Sequence, residues 1–337
     1  MSAWHARLKK SLPIELIAEW GIPCDLSHAL RQMQASRDCG ARWAKWQMLT
    51  PERLAGREAV AYWSDALPGG HAQLEVFGPG IPDADWRRVL DACRAGGVGT
   101  MVTPFDLEAV DRLERLGVEA YKIASGDITY RALIRKIATT GKPVFLSTGA
   151  ANGFEIRRAI GWLKGCHVTV MACDLVYPCP PADSALVTKI ELLKQIAPDR
   201  PLGYSDHTRG TLTGAIAVAL GVTVLEKHLT LDPDGDRPDD GMALTEVTAE
   251  RYLGLAREAA VLLATPEGTP EAAAKVGARR SAHAARDLDA DTILEPGDIT
   301  WLRPAPPGAL GPDAKIVGRR LAVAVAAGDR IKSDDLL

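Results

Sequence analysis

Eight short apolar runs, each followed by a stretch of helical period or a loop, constrain this chain more than any other feature. The runs are Glu15–Trp20, Arg42–Gln47, Val98–Phe105, Ala120–Ser125, Pro143–Thr148, His167–Cys173, Leu202–His207 and Thr223–Thr230. Helical patterns such as Leu26–Cys39, Asp85–Ala95, Leu107–Leu116, Tyr130–Thr139, Phe154–Lys164, Ser184–Ile196 and Thr211–Leu220 separate them. Strand–helix alternation at this spacing predicts a parallel sheet. Eight such units in about 250 residues match a (β/α)8 TIM barrel. A doubly wound sheet competes, but no Gly-x-Gly-x-x-Gly opens the first helix. The expected fold is therefore α/β, a barrel over residues 1–264.

Composition narrows the function. With 40 basic and 43 acidic side chains among 337 residues the net charge is −3. That balance lacks the basic footprint of a nucleic-acid binder. No run approaches the roughly 18 apolar residues of a membrane helix. The opening Met1-Ser-Ala-Trp-His-Ala-Arg has no apolar h-region, so no secretory signal is expected. Cys24, Cys39, Cys93, Cys166, Cys173 and Cys179 form no CxxC pair, which points to free thiols in a reducing, cytoplasmic setting.

After the helical stretch Thr248–Leu263 the composition changes. Residues 265–280, with their two prolines and small side chains, read as a linker. Residues 281–337 carry a weak repeat: Ile293-Leu-Glu-Pro-Gly-Asp-Ile-Thr300 and Val325-Ala-Ala-Gly-Asp-Arg-Ile-Lys332 share a Gly-Asp turn before an alternating run. This suggests a small β module. Its core is marginal at that size, so it is expected to lean on a partner.

Polar residues gather where the strand-like runs end: Glu19, Lys45 with Gln47, Thr103, Lys122 with Ser125, Ser147, Asp206 with His207, and Lys227 with His228. Barrel enzymes build their sites at these ends. Lys45 and Lys122 are flanked by apolar strand residues, and a buried lysine needs a reason. His207 and His228 end neighbouring strands, where two imidazoles can share one divalent cation. His5, His28, His71, His167 and His283 stand outside that pattern.

Ala120-Tyr-Lys-Ile-Ala-Ser-Gly-Asp127, Lys142-Pro-Val-Phe-Leu-Ser-Thr-Gly149, Val176-Tyr-Pro-Cys-Pro-Pro181, Gly203-Tyr-Ser-Asp-His-Thr208 and Glu226-Lys-His-Leu-Thr230, in this order, resemble the sialic acid (nonulosonic acid) synthase family. The tail, with Arg279-Arg-Ser281, Gly297-Asp-Ile299 and Leu302-Arg-Pro304, resembles that family's antifreeze-like (SAF) domain. The resemblance implies a transferase joining phosphoenolpyruvate to an N-acylated sugar aldehyde, N-acetylmannosamine-like, with release of phosphate. It implies phosphoenolpyruvate contacts at Lys45, Thr103, Lys122, Ser125, Ser147 and Ser205. It likewise implies acceptor contacts at Gln47, Tyr177, Asp239 and Arg303, and a base or water-orienting role for Glu19. It implies further that His207 and His228 hold manganese or magnesium and that the tail is swapped across a homodimer.

Several positions depart from the family pattern: Ile22-Pro-Cys-Asp25, Leu175, Trp43-Ala-Lys-Trp-Gln47 and Arg303-Pro-Ala-Pro-Pro-Gly308. They are expected around the acceptor, with Ile22, Trp46 and Leu175 disfavouring plain N-acetylmannosamine. Two alternatives stay open: the same condensation on a non-sialic aldehyde, and a ligand-binding homologue without turnover. Retention of both histidines and Glu19 speaks against the second.

Overall fold

A computed structural model describes residues 13–61, 73–78, 80–235, 237–264 and 271–337. The chain divides into two compact units, Met1–Ala264 and Thr265–Leu337.

In the first unit, eight parallel strands close on themselves in sequence order. They are β1 (Glu15–Glu19), β2 (Trp43–Met48), β3 (Gly99–Pro104), β4 (Ala120–Ile123), β5 (Val144–Ser147), β6 (Val168–Cys173), β7 (Leu202–Asp206) and β8 (Val224–His228). The closing pair sets Glu19 beside His228 on one side and beside Lys45 on the other. The surrounding helices include Leu26–Asp38, Asp83–Gly96, Leu107–Leu116, Arg131–Ala138, Gly153–Trp162, Leu186–Ile196, Thr213–Ala219 and Glu246–Leu263. Short helices over Pro51–Leu54 and Gln73–Val76 have too few residues to show a period in the sequence.

Local chemistry fixes the helix ends. Asp25 and Asp106 accept from the amides of His28 (2.8 Å) and Ala109 (2.7 Å), and Asn152 with Glu155 forms a capping box. Gly97 and Gly117 end their helices at positive φ.

Side chains alternate along each strand between the barrel interior and the helix shell. The lower interior layer is Ile17, Trp43, Met101, Ala120, Phe145, Met171 and Val224. Strand β7 contributes Gly203 here, because a Cβ would lie 2.8 Å from Met171 Cγ and 3.2 Å from the Val224 carbonyl. Two residues further along each strand the layer turns polar. Glu19, Lys45, Thr103, Lys122, Ser147, Cys173, Ser205 and Glu226 form this ring, all buried. An apolar plug thus floors a polar chamber.

In the second unit, β9 (Ser281–Ala284) pairs antiparallel with β10 (Ile299–Leu302). Ala282, Ala284, Leu288, Leu294, Ile316, Leu321, Val325 and Ile331 form its own small core. The two repeat turns differ: Pro296–Asp298 is a 3-10 turn, while Gly328 takes φ +84°. The expected linker is corrected in part. Residues 265–270 lie outside the described residues, but Glu271–Ala278 is a helix of this unit, and the Ala305 amide donates to the Val276 carbonyl at 2.9 Å. Its alanine-rich composition favours helix over coil.

Candidate active site

A cavity of about 730 Å³ opens above the polar ring. Twelve of the thirteen candidate residues line it, each delivered by a strand end or the loop behind it. Arg303 belongs to the second unit and is exposed directly after β10.

The floor of the cavity is a charge-balanced set. Glu226 reaches Lys45 with one oxygen (3.3 Å) and Lys122 with the other (3.2 Å). Lys45 also pairs with Glu19, whose other oxygen accepts from Gln47 Nε2 (2.7 Å) and the Gly21 amide (3.1 Å). Lys122 donates to Ser147 Oγ at 2.5 Å. Burial opposes the charges of Lys45 and Glu226, yet their opposite charges win. Glu19 and Glu226 hold Lys45 above its ordinary value, and the two lysines hold Glu226 at about 2 despite burial.

The hydroxyls are less committed. Thr103 Oγ1 is enclosed with no hydrogen-bond partner among the described residues. Ser125 Oγ accepts from the Gly149 amide (2.9 Å), which leaves its own proton to donate. Ser205 completes the ring between Cys173 and Glu226.

The two imidazoles stand at the rim, their centroids 5.5 Å apart. His207 Nδ1 donates to the Asp174 carbonyl (2.7 Å), and the Tyr177 ring covers it at 3.9 Å. His228 Nδ1 lies 3.2 Å from Asp239 Oδ2. Burial lowers the basicity of His228, but Asp239 outweighs it and holds the group above its usual value. Both Nδ1 atoms are engaged, so each ring keeps Nε2 for a ligand. Such a back-side hydrogen bond to a carbonyl or carboxylate is the pattern of metal-ligating histidines. The pair fits a divalent cation. No three His, Cys, Asp or Glu converge as a ready-made ion site among the described residues, so water and substrate would complete the coordination.

Three expectations change. Asp239, expected against the acceptor, also orients His228. Trp46 faces the helix shell, fully buried, donating to Gln32 Oε1 (2.8 Å) and crossing Trp86 edge-on, so it cannot shape the acceptor pocket. Strand parity explains this: its neighbours Lys45 and Gln47 point inward. The same parity sends Asp206 and Lys227 outward, where they pair at 3.1 Å beside Tyr252. Ile22 and Leu175 do line the cavity.

Glu226 was missed by the sequence reading. Its signal was there: it sits two residues after the apolar Val224 and two before His228, on the inward side of β8. Of the remaining histidines, His28 accepts from Arg237 (2.8 Å) and His283 donates to the Ser281 carbonyl, while His5 and His71 lie outside the described residues. Arg237 also donates to Cys24 (3.1 Å), tying the departure at Ile22-Pro-Cys-Asp25 to the loop carrying Asp239.

Comparison with known proteins agrees with this architecture. The NeuB family profile matches residues 32–265 and the SAF domain profile residues 279–337. The N,N'-diacetyllegionaminic acid synthase of Campylobacter jejuni is 32% identical, covering 88% of this chain and 92% of that protein. The pseudaminic acid synthase of Helicobacter pylori is 27% identical over 93% of this chain and 94% of its own. The crystal structure of N-acetylneuraminic acid (sialic acid) synthetase from Leptospira borgpetersenii superposes with a TM-score of 0.68 at 26% identity, covering 77% of this chain and 88% of that one. With most of its barrel matched by one profile and its tail by the other, this chain belongs to the NeuB family and ends in a SAF domain.

Proposed function

We propose that the protein is a transferase that condenses phosphoenolpyruvate with an N-acylated amino-sugar aldehyde, giving a 2-keto nonulosonic acid and inorganic phosphate. The observation that carries this reading is the chamber itself. Two buried lysines, four hydroxyls and two back-bonded histidines surround one cavity in a barrel whose relatives are nonulosonic acid synthases.

Phosphoenolpyruvate brings a carboxylate and a phosphate of roughly −1.5 to −2 charge with three acceptor oxygens. Lys45 and Lys122 supply charge-assisted contacts, and Thr103, Ser125, Ser147 and Ser205 supply donors to the remaining oxygens. The charged floor sums to zero before substrate enters, two lysines against Glu19 and Glu226. Binding so anionic a ligand there calls for further positive charge. A manganese or magnesium ion at His207 and His228 would supply it and would polarise the aldehyde carbonyl as a Lewis acid.

The chain's own residues do the rest. Gln47, Tyr177 and Asp239 position the aldehyde over C3 of phosphoenolpyruvate. As C3 bonds to the aldehyde carbon, the carbonyl π bond breaks and C2 becomes an oxocarbenium. Water oriented by Glu19 adds at C2, and its proton balances that taken up by the former aldehyde oxygen. C2–O cleavage then expels phosphate with its bridging oxygen, and the C2 hydroxyl gives up its proton as the ketone forms. Lys45 holds Glu19 in place to orient that water.

Ile22 and Leu175 put apolar surface where a polar sugar substituent would otherwise find a partner, which favours an acceptor other than plain N-acetylmannosamine. A SAF domain swapped across a homodimer, with Arg303 reaching the acceptor, completes the proposal. Phosphoenolpyruvate carrying 18O in the bridging position tests the reaction class. Label recovered in phosphate supports C–O cleavage, and label retained in the organic product rejects the reading.

A further inference from the structure

Asp127 is a cavity carboxyl that the reaction above does not use. It closes the 3-10 turn Ser125–Asp127 directly behind β4, the strand of Lys122, and lines the same chamber. Its Oδ2 is enclosed and has no hydrogen-bond partner among the described residues. Lys122, on the same strand-and-loop segment, is already engaged by Ser147 at 2.5 Å and by Glu226 at 3.2 Å. Lys122 stands on the preceding strand, and Tyr130, whose amide donates to the Asp127 carbonyl at 2.8 Å, begins the next helix. Neither offsets its burial, and burial alone pushes the carboxyl up to about 7. An enclosed, unbonded oxygen tolerates a neutral carboxyl far better than a carboxylate.

We propose that Asp127 works as a neutral carboxylic acid, donating its O–H to an anionic oxygen of bound phosphoenolpyruvate and tying substrate affinity to one proton. The inference rests on the functional reading above. A neutral donor adds a hydrogen bond without adding charge. The ionised form would set a carboxylate against a strongly anionic ligand in a chamber whose lysines are already paired.

The test is calorimetric binding of phosphoenolpyruvate to the full chain, without acceptor and at fixed magnesium, between pH 7 and 9. The substrate phosphate, with its second pKa near 6, is fully ionised across that range. The wild-type affinity should fall about tenfold per pH unit above the carboxyl's titration. Asp127→Asn keeps the shape and a neutral donor, so its profile should lose that slope and exceed wild type at pH 9. Asp127→Ala should share the altered slope but bind more weakly at pH 7. Proton linkage at the histidines is common to all three proteins, so the difference between profiles isolates Asp127. Equal slopes in wild type and Asp127→Asn would overturn the proposal and leave the functional reading standing. Absence of any phosphoenolpyruvate binding by the wild type would overturn both.

Discussion

Asp239 Oδ2 stands 3.2 Å from His228 Nδ1, so a loop residue, not the barrel strand, decides which imidazole nitrogen faces the cavity. Second partners of this kind set ring orientation and ligand basicity. Their removal typically costs about 10–100-fold in metal affinity. Asp239→Ala should therefore weaken manganese binding by that factor in calorimetry while leaving the secondary structure unchanged. Unaltered manganese affinity would refute the orienting role.

Glu226 joins Lys45 and Lys122 across the floor of the barrel. Glu226→Gln leaves two buried ammoniums with only Glu19 between them. Breaking a buried ion pair by removing one partner costs about 3–5 kcal/mol. Denaturant unfolding should show a loss of that order. Added inorganic phosphate should restore more stability to the variant than to the wild type, since it supplies the missing anion. Equal phosphate stabilisation of both proteins would contradict the assignment.

Lys122 has the opposite role, as the cation that receives substrate. Lys122→Ala should lower phosphoenolpyruvate affinity by about 2–5 kcal/mol, the cost of leaving a buried charge unpaired. Direct binding measurement decides this, and an unchanged affinity would remove Lys122 from the substrate site.

The strands, most of the helices and the closed barrel were legible because periods of two and 3.6 are written directly in side-chain polarity. Twelve candidate residues reached one cavity for the same reason: strand ends in a barrel converge. What was lost came from reading polarity without parity. Polarity alone sends Trp46 to the pocket, whereas its neighbours Lys45 and Gln47 point inward, and it passes over Glu226, which shares an inward face with Val224 and His228. The helix at Glu271–Ala278 is hidden by the two prolines that precede it, Pro266 and Pro270. Pairings such as His228 with Asp239 and Arg237 with Cys24 depend on loop paths that no period encodes.

Parity also separates two variants that composition would treat alike. Trp46→Phe removes the donor to Gln32 and should cost about 1–3 kcal/mol of stability, with the acceptor KM unchanged. Leu175→Asn, on the cavity wall, should shift the acceptor KM and relative acceptor preference. A changed acceptor preference in Trp46→Phe would contradict its placement in the shell.

Arg303 is tested by complementation. Subunits carrying Arg303→Ala and His228→Ala, each inactive alone, should regain partial activity when mixed if the tail serves a neighbouring barrel. Mixed dimers that form but recover nothing would reject the swap.

Coupling of phosphoenolpyruvate to an aldehyde in this chamber is read most directly from the phosphate it releases. Phosphate release is measured with a panel of N-acylated amino-sugar aldehydes, with wild type and His228→Ala, with and without a chelator. Release should depend on the acceptor, give one phosphate per 2-keto acid formed, and be abolished by the chelator and by the substitution. Phosphate release that ignores the acceptor, or full activity in His228→Ala, would contradict that coupling.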